Sequence, residues 1–200
     1  MMNYYPKIIG ITGGIGSGKS IVCKIFATLG IPIYEADARA KWLTTHDLIL
    51  KEKIIQLLGS DAYTPTGEYN RAWVGSQVFG NVDLLQKLNE IIHPAVHQDA
   101  QKWFSAHPNA PFLLYEAALM KAAGDGNFFQ KVIVVNAPLE LRIKRVQLRD
   151  GRSEQAIKDI IARQISDEER NKIADYFVEN DEKTPVISQV LALFERLKSD

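Results

Sequence analysis

Residues 13–20 read Gly13-Gly14-Ile15-Gly16-Ser17-Gly18-Lys19-Ser20, and this stretch matches the pattern G-x-x-x-x-G-K-[ST]. A run of mostly β-branched apolar residues at positions 8–12 precedes it and predicts a buried strand. Residues 21–29 follow with the composition of a helix, which Gly30 is expected to end. Because a strand, a glycine-rich loop and a helix follow one another in the order that the pattern requires, we predict a phosphate-binding loop.

The residue types of this loop suit the triphosphate of a nucleotide. Glycines let successive backbone N–H groups point at phosphate oxygens, with the positive end of the following helix behind them. Lys19 would reach the β- and γ-phosphates, and the Ser20 hydroxyl would bind Mg²⁺. A chance glycine-rich loop is the alternative, which the flanking elements and the Lys-Ser pair disfavour. The predicted ATP-binding residues are Gly13, Gly14, Ile15, Gly16, Ser17, Gly18, Lys19, Ser20 and Ile21.

Composition limits the remaining possibilities. With 200 residues, 46% hydrophobic and 24% charged, the chain has the size and make-up of one globular α/β domain. Lys+Arg and Asp+Glu both number 24, so the net charge offers no general attraction to nucleic acid or to an anionic membrane. Cys23 has no second cysteine to pair with and is expected to pack as a small apolar side chain. We expect a cytoplasmic enzyme with no nucleic-acid or membrane partner and no obligate protein partner.

Four further apolar runs predict the other strands of a sheet, at residues 31–34, 112–115, 132–135 and 176–179. Predicted helices separate them, at residues 38–58, 71–106, 139–149 and 153–165, and a last helix begins after Pro185. Pro94 is expected to break or kink the second of these helices. The alternation predicts an α/β fold, a doubly wound five-stranded parallel sheet of the P-loop NTPase type.

The predicted helices between the second and third strands are longer than a compact crossover needs. We therefore expect residues 39–109 to form a helical insertion that binds the acceptor, and residues 141–169 to form a lid. The nucleotide-binding core of this single domain would comprise residues 1–38, 110–140 and 170–200.

Two carboxylates follow predicted strands, where ligands of open α/β sheets bind. Asp37 comes just after the second strand, which we expect beside the strand that leads into the loop, and it is the candidate base. The alternative role of Asp37 is a helix N-cap. Glu35, two residues earlier, is a weaker candidate for a catalytic role, and it would support the water ligands of the metal. Glu116 ends the third strand, where it would hold Mg²⁺ through water or, equally, satisfy nearby backbone groups.

Cationic and aromatic residues supply further candidates. Arginines of the predicted lid could cover the transferred phosphoryl group, or they could lie on solvated helix faces: Arg142, Arg145, Arg149 and Arg152. Arg149 is our choice, since it lies next to a predicted Asp-Gly hinge. His93 and His97 have a metal-ligand spacing but lack a third ligand, so we favour a structural or acceptor-pocket role for His93. Trp73 is expected in the core, or stacked on an adenine of the acceptor.

These features favour a small-molecule kinase over two other classes. A guanine-nucleotide switch would carry Asn-Lys-x-Asp after a strand, but Asn171-Lys172-Ile173-Ala174-Asp175 is one residue too long. An ATP-driven motor would need a second ATPase signature. The residues alone leave the acceptor of the kinase open, so another small-molecule or nucleotide P-loop kinase remains the alternative.

With these residues identified, the chain resembles the dephospho-CoA kinase family over nearly its whole length. The resemblance begins in residues 11–20 and includes Ala36-Asp37 and Ile92-His93-Pro94. It extends to Lys144-Arg145, Arg149-Asp150, Gln164, Ala174-Asp175 and Asn180. The family transfers the γ-phosphoryl group of ATP to the ribose 3′-hydroxyl of dephospho-CoA. The architecture of the family, with a P-loop core, a helical CoA domain and a lid, is similar to the one predicted above.

The resemblance implies residue roles. Asp37 would be the general base, Arg149 would act from the lid, and Arg71 and His93 would belong to the acceptor domain. Four features depart from the family pattern: Ile21 where Thr is usual, Glu35 where Asp is usual, Lys121-Ala122 where Phe-Glu is frequent, and Asn136 where Asp is frequent. Lys19, Ser20 and Asp37 follow the pattern.

Overall fold

The computed structural model describes residues 6–118 and 120–199. Within them lies a five-stranded sheet with the order β2-β3-β1-β4-β5. Its strands are β1 (Lys7–Gly13), β2 (Ile33–Glu35), β3 (Phe112–Glu116), β4 (Lys131–Asn136) and β5 (Tyr176–Glu179). β1 pairs in parallel with β3 and β4, and β4 with β5. The predicted α/β fold with a five-stranded parallel sheet is confirmed.

One feature of the predicted sheet is wrong, because β2 does not lie beside β1. β3 lies between them, in register with β1 from Lys7 opposite Phe112 to Ile11 opposite Glu116. The burial of the two strands explains this order. β3 begins with three fully buried apolar residues, as a central strand requires, whereas Tyr34 is the one buried residue in the three-residue β2. Alternation of strands and helices predicts a parallel sheet but does not fix which strands are neighbours.

The helices are α1 (Lys19–Thr28), α2 (Ala36–His46), α3 (Leu48–Leu58), α4 (Arg71–Val78), α5 (Val82–Ser105), α6 (Leu139–Asp150), α7 (Glu154–Ala162), α8 (Asp167–Lys172) and α9 (Val186–Ser199). A short 3-10 helix covers Ser60–Ala62. None of the helices within residues 6–118 and 120–199 is long and apolar enough to span a membrane.

The main core lies where α1 and α9 pack against the sheet. Alternate strand residues such as Ile9 and Ile11 point into it, as the two-residue period of a strand requires. Phe26 of α1 and Val190 of α9 are fully buried there. Cys23 is 6% exposed within the same cluster, so it packs as the small apolar side chain that was expected.

Two predicted helices are each divided by a capping residue. The helix predicted for residues 38–58 stops at Asp47, which has extended backbone angles and accepts a hydrogen bond from the Leu50 N–H at 2.9 Å. The helix predicted for residues 71–106 stops before Asn81, which accepts from the Leu84 N–H at 3.0 Å. Asp and Asn are strong N-cap residues, so each side chain begins a new helix.

The predicted break at Pro94 is wrong, because α5 runs through this residue. Proline removes one backbone donor and clashes with the preceding turn, which costs about 3 kcal/mol or more in a helix interior. Buried Leu88 lies before Pro94, and Val96 and Phe104 are buried after it. α5 also packs against α2 and α3. Tertiary packing on both sides of the proline therefore keeps the helix continuous.

The region after α6 contains a helix that the sequence did not predict. α7 begins after Ser153, whose hydroxyl accepts from the Ala156 N–H at 3.2 Å as predicted, but it ends at Ala162 rather than at residue 165. α8 then begins with a capping box between Ser166 and Glu169. This six-residue helix is too short to produce a clear apolar period, although its capping residues are visible in the sequence.

The chain divides into two compact units. One is Glu35–Ala106, and the other comprises the described residues before and after it. Within Glu35–Ala106, Arg39 donates two hydrogen bonds to Asp99, at 2.8 and 2.6 Å. The buried Tyr63 hydroxyl donates to the Thr44 carbonyl at 2.7 Å, and burial raises the pKa of Tyr63 to about 12. These contacts tie α2 to α5 and to the segment after α3.

Candidate active site

The loop that joins β1 to α1 has the backbone of a phosphate cradle. Gly16 and Gly18 have φ angles of 77° and 91°, in the left-handed region that favours glycine. The Ser17 N–H donates to the Gly14 carbonyl at 3.0 Å, which closes the turn. Gly18 occupies the N-cap of α1 and offers no side-chain acceptor. The positive end of the helix is therefore available to an anion.

A cavity of about 640 Å³ opens over this loop. Apart from Ser17, all the predicted ATP-binding residues in positions 13–21 line it. The other charged or polar residues in its wall are Glu116, Arg145, Arg149 and Gln164. Its volume falls in the range of small-molecule sites, about 300–1,000 Å³. The structure thus brings the predicted loop, Glu116 and Arg149 around one cavity.

Glu116 is the acid that lies beside the loop. It ends β3, which is adjacent to β1, and its carboxylate forms an ion pair with the Lys19 ammonium group. The two side chains are only 16% and 15% exposed. Ser20 is exposed in the first turn of α1 and lines the same cavity. A hydroxyl and a carboxylate are hard oxygen donors of the kind that Mg²⁺ prefers, so these residues fit that ion.

Arg142 does not face the cavity, contrary to one of the predicted possibilities, and it is not solvated either. It is 2% exposed, and its Nε donates to the Ile15 carbonyl of the loop at 2.9 Å. One of its Nη atoms donates to both carboxylate oxygens of Asp167, at 2.9 and 2.8 Å. Its buried position leaves no path to a transferred phosphoryl group. Arg142 instead supports the loop from behind.

Arg145 is at the cavity wall. Its Nη2 donates to the Asn180 carbonyl at 3.0 Å and, at 3.3 Å each, to the Asn180 side chain and Glu182. Its Nη1 is buried and finds no hydrogen-bond acceptor in the described part of the chain. The Asn180 side chain in turn donates to the Ser17 carbonyl at 2.8 Å. A charged donor without an acceptor beside a phosphate-binding loop is suited to an anionic ligand.

Arg149 lines the cavity from the end of α6. Its side chain is 63% exposed and donates to both carboxylate oxygens of Asp150, at 2.7 and 2.8 Å. The Arg149 guanidinium holds the pKa of the Asp150 carboxyl below its usual value. Gly151, with a φ of 66°, ends the helix at once. Arg152 is exposed and lies 3.8 Å from Asp150.

The other predicted site residues belong to the unit Glu35–Ala106. Asp37 is exposed in the first turn of α2, where Glu35 holds the N-cap position, so the alternative N-cap role of Asp37 is wrong. Arg71 begins α4 and is exposed, and His93 is exposed on α5. Trp73 is half-buried, so it is not a fully buried core residue. No cluster of three or more His, Cys, Asp or Glu side chains suited to a metal occurs in the described residues.

Comparison with known proteins identifies the family. The family model for dephospho-CoA kinase matches residues 7–185. The chain belongs to the dephospho-CoA kinase family. A dephospho-CoA kinase of Porphyromonas gingivalis is 36% identical over 195 residues, which cover 96% of this chain and 94% of that relative. One of Bacteroides fragilis is 33% identical over 185 residues, with 92% and 90% covered.

Solved structures share the fold of this chain. A protein of Thermus thermophilus is 29% identical and superposes with a TM-score of 0.84, covering 96% of this chain and 97% of that one. Dephospho-CoA kinase from Campylobacter jejuni is 24% identical with a TM-score of 0.63, covering 98% and 99%. Shikimate kinase from Acinetobacter baumannii, at 16% identity and a TM-score of 0.54, shares the fold.

Sequence reasoning had assigned no role to two residues that touch the loop. Asn180 follows the carboxyl end of β5, and the loop follows the carboxyl end of β1. The Asn180 side chain donates a hydrogen bond to the Ser17 carbonyl. Gln164 follows α7 and accepts a hydrogen bond from the Ile15 N–H at 3.0 Å. The strand-end position of Asn180 was a usable signal, since ligands and loops gather there. Gln164 carried no such signal, because its position depends on how the region after α6 folds.

Proposed function

We propose that this chain is a dephospho-CoA kinase that transfers the γ-phosphoryl group of ATP to the ribose 3′-hydroxyl of dephospho-CoA, giving CoA and ADP. The observation that carries the proposal is a 640 Å³ cavity over a P-loop, with Lys19, Glu116 and Arg149 in its wall, in a chain of this family. The cytoplasmic location expected from the sequence stays a prediction.

The donor half of the reaction would use residues 13–21. Their backbone N–H groups and the start of α1 would hold the triphosphate, and Lys19 would exchange its contact with Glu116 for phosphate oxygens. Ser20 would ligate Mg²⁺ directly, and Glu116 through water. This ion would supply neutralisation of the phosphate charge. Arg149 would act on the transferred group from the end of α6.

Asp37 is our candidate for the general base. The ribose 3′-oxygen attacks the γ-phosphorus, the bond from that phosphorus to the β,γ-bridging oxygen breaks, and the bridging oxygen leaves with ADP. The hydroxyl proton passes to the Asp37 carboxylate. Two observations support this role: Asp37 is exposed at the carboxyl end of β2, and the family resemblance includes Ala36-Asp37.

The acceptor would bind to the unit Glu35–Ala106. Arg71 is an exposed guanidinium suited to a phosphate of dephospho-CoA, and His93 is an exposed donor on α5. Trp73 is half-buried, and an adenine could stack on its indole ring. All three side chains offer groups that match those of dephospho-CoA.

The test is ADP release with a panel of acceptors: dephospho-CoA, nucleoside monophosphates and shikimate. We expect turnover with dephospho-CoA, and a Lys19→Ala variant should lose at least about 100-fold in kcat/KM because transition-state charge on the phosphoryl group is no longer neutralised. Turnover with a monophosphate or with shikimate, and none with dephospho-CoA, would overturn the proposed acceptor. An unchanged kcat/KM in Lys19→Ala would contradict the role of the loop.

A further inference from the structure

Side chains from distant parts of the sequence hold Ile15, the residue at the tip of the phosphate-binding loop. The Ile15 N–H donates to Oε1 of Gln164 at 3.0 Å, and the Ile15 carbonyl accepts from Nε of Arg142 at 2.9 Å. These partners lie 149 and 127 residues further along the chain. Both backbone polar groups of one loop residue are therefore fixed by the segment that runs from α6 to α8.

Arg142 is itself held in place by Asp167, the first residue of α8. Asp167 also accepts a hydrogen bond from Arg170 at 2.5 Å, and Arg170 donates to the Ile165 carbonyl at 2.9 Å. Arg142 and Arg170 are each 2% exposed, and one carboxylate faces both. Charge-assisted hydrogen bonds of this kind are about twice as strong as neutral ones. The start of α8 is thereby linked through Arg142 to the loop.

The glycines of the loop permit this close contact. A Cβ at Gly16 would lie 2.5 Å from the Arg142 carbonyl oxygen, which is too near for any side chain. A Cβ at Gly14 would collide with the Arg142 guanidinium group. The loop therefore rests directly on α6, and movement of Arg142 would be transmitted to the Ile15 carbonyl.

We infer that Gln164, Arg142 and Asp167 are positioning residues that preorganise the phosphate-binding loop for ATP by fixing the backbone N–H and the backbone carbonyl of Ile15. This inference rests on the proposed function only in taking ATP as the ligand of the loop. Asp167 lies outside the cavity wall and acts through Arg142. A loop held in its binding conformation loses less entropy when ATP binds, so loosening it lowers the affinity.

The experiment measures ATP binding to the full chain by titration calorimetry, without an acceptor. Asp167→Ala is expected to weaken ATP binding about tenfold, since an unpaired Arg142 no longer fixes Ile15. Asp167→Glu keeps the carboxylate and should recover most of the affinity. Glu168→Ala is the matched control, because it removes an acid from the next position, where Glu168 contacts the exposed Lys172. It should bind ATP within about twofold of the wild type.

A second variant covers the case in which Asp167→Ala fails to fold, as two buried guanidinium groups would then face no acid. Gln164→Met removes the acceptor of the Ile15 N–H and leaves the arginines paired, and it should also weaken ATP binding about tenfold. Gln155→Met is its control, since Gln155 is exposed on α7 and contacts Asp159. Wild-type ATP affinity in either folded test variant overturns the inference.

Non-additivity separates positioning from direct contact, because Gln164 also lines the cavity. If both residues act through the backbone of Ile15, the double variant Asp167→Ala/Gln164→Met should lose less affinity than the product of the two single losses. If the loss of ATP affinity in the double variant equals the product of the two single losses, the two residues do not act through the same loop residue, and the inference is overturned. Failure of the proposed kinase activity would appear separately, as an absence of turnover in wild-type protein that still binds ATP.

Discussion

At the scale of single residues, the most informative contact is the ion pair between Lys19 and Glu116. Both side chains are largely buried in the cavity wall, where charges interact more strongly than in water. Glu116→Gln removes the carboxylate that would orient the water shell of Mg²⁺, so kcat should fall by roughly 100-fold. Glu179→Gln is the control, since it alters a strand-end glutamate that does not line the cavity. Equal kcat values for both variants would exclude a role for Glu116 in the reaction.

A substitution at Asp37 tests the second part of the reaction, the removal of the proton from the acceptor hydroxyl. Asp37→Asn keeps the shape of the side chain but removes its capacity to accept a proton, so turnover should fall by roughly 100- to 10,000-fold. ATP should still bind, because the residues that line the cavity over the loop do not include Asp37. Asp61→Asn, at another exposed acid of the same unit, is the matched control. Near-normal turnover in Asp37→Asn would remove this residue from the mechanism.

At the scale of the secondary-structure elements, capping residues decide where the helices of Glu35–Ala106 begin. Asp47→Ala removes the acceptor of the Leu50 N–H, so the free energy of unfolding should fall by about 1 kcal/mol. The affinity for ATP should not change. Glu52→Ala, at an exposed site within α3, is the control and should leave stability nearly unchanged. Urea denaturation gives the result, and equal stability of the two variants would contradict the capping role.

The same elements indicate how far a sequence can be interpreted. The strands and the loop were predictable, because continuous apolar runs and the G-x-x-x-x-G-K-[ST] pattern are local signals. The order β2-β3-β1 and the continuity of α5 through Pro94 were not, since both depend on contacts between distant segments. The role of Arg142 was hidden for the same reason: its partners Ile15 and Asp167 meet only in the folded chain.

At the scale of the whole molecule, a balanced net charge coexists with a locally cationic site. The chain has equal numbers of acidic and basic residues, yet one cavity is lined by three cations, Lys19, Arg145 and Arg149, and by one acid, Glu116. Behind its loop, Arg142 and Arg170 share the single carboxylate of Asp167. A local excess of cations raises the concentration of an anionic ligand near the loop without making the protein surface generally basic. This arrangement suits a site that binds a nucleotide in preference to nucleic acid or an anionic membrane.

The division into two compact units leads to a prediction about both substrates. If residues 13–21 bind ATP and Glu35–Ala106 binds dephospho-CoA, the two ligands should slow amide hydrogen exchange in different parts of the chain, because bound segments open less often. ATP should protect residues 13–21 and, through Gln164 and Arg142, residues 163–170. Dephospho-CoA should protect α4 and the part of α5 around His93.

Exchange measured by mass spectrometry with each ligand alone provides the test, and Lys19→Ala serves as the control in which ATP protection should weaken. Of the ATP site and the acceptor site, the acceptor site is the easier assignment to refute. It rests on the exposed Arg71 and His93 and on the half-buried Trp73. Protection by dephospho-CoA that spares Glu35–Ala106 would mean that this unit does not bind the acceptor, and the three residues would lose their proposed role.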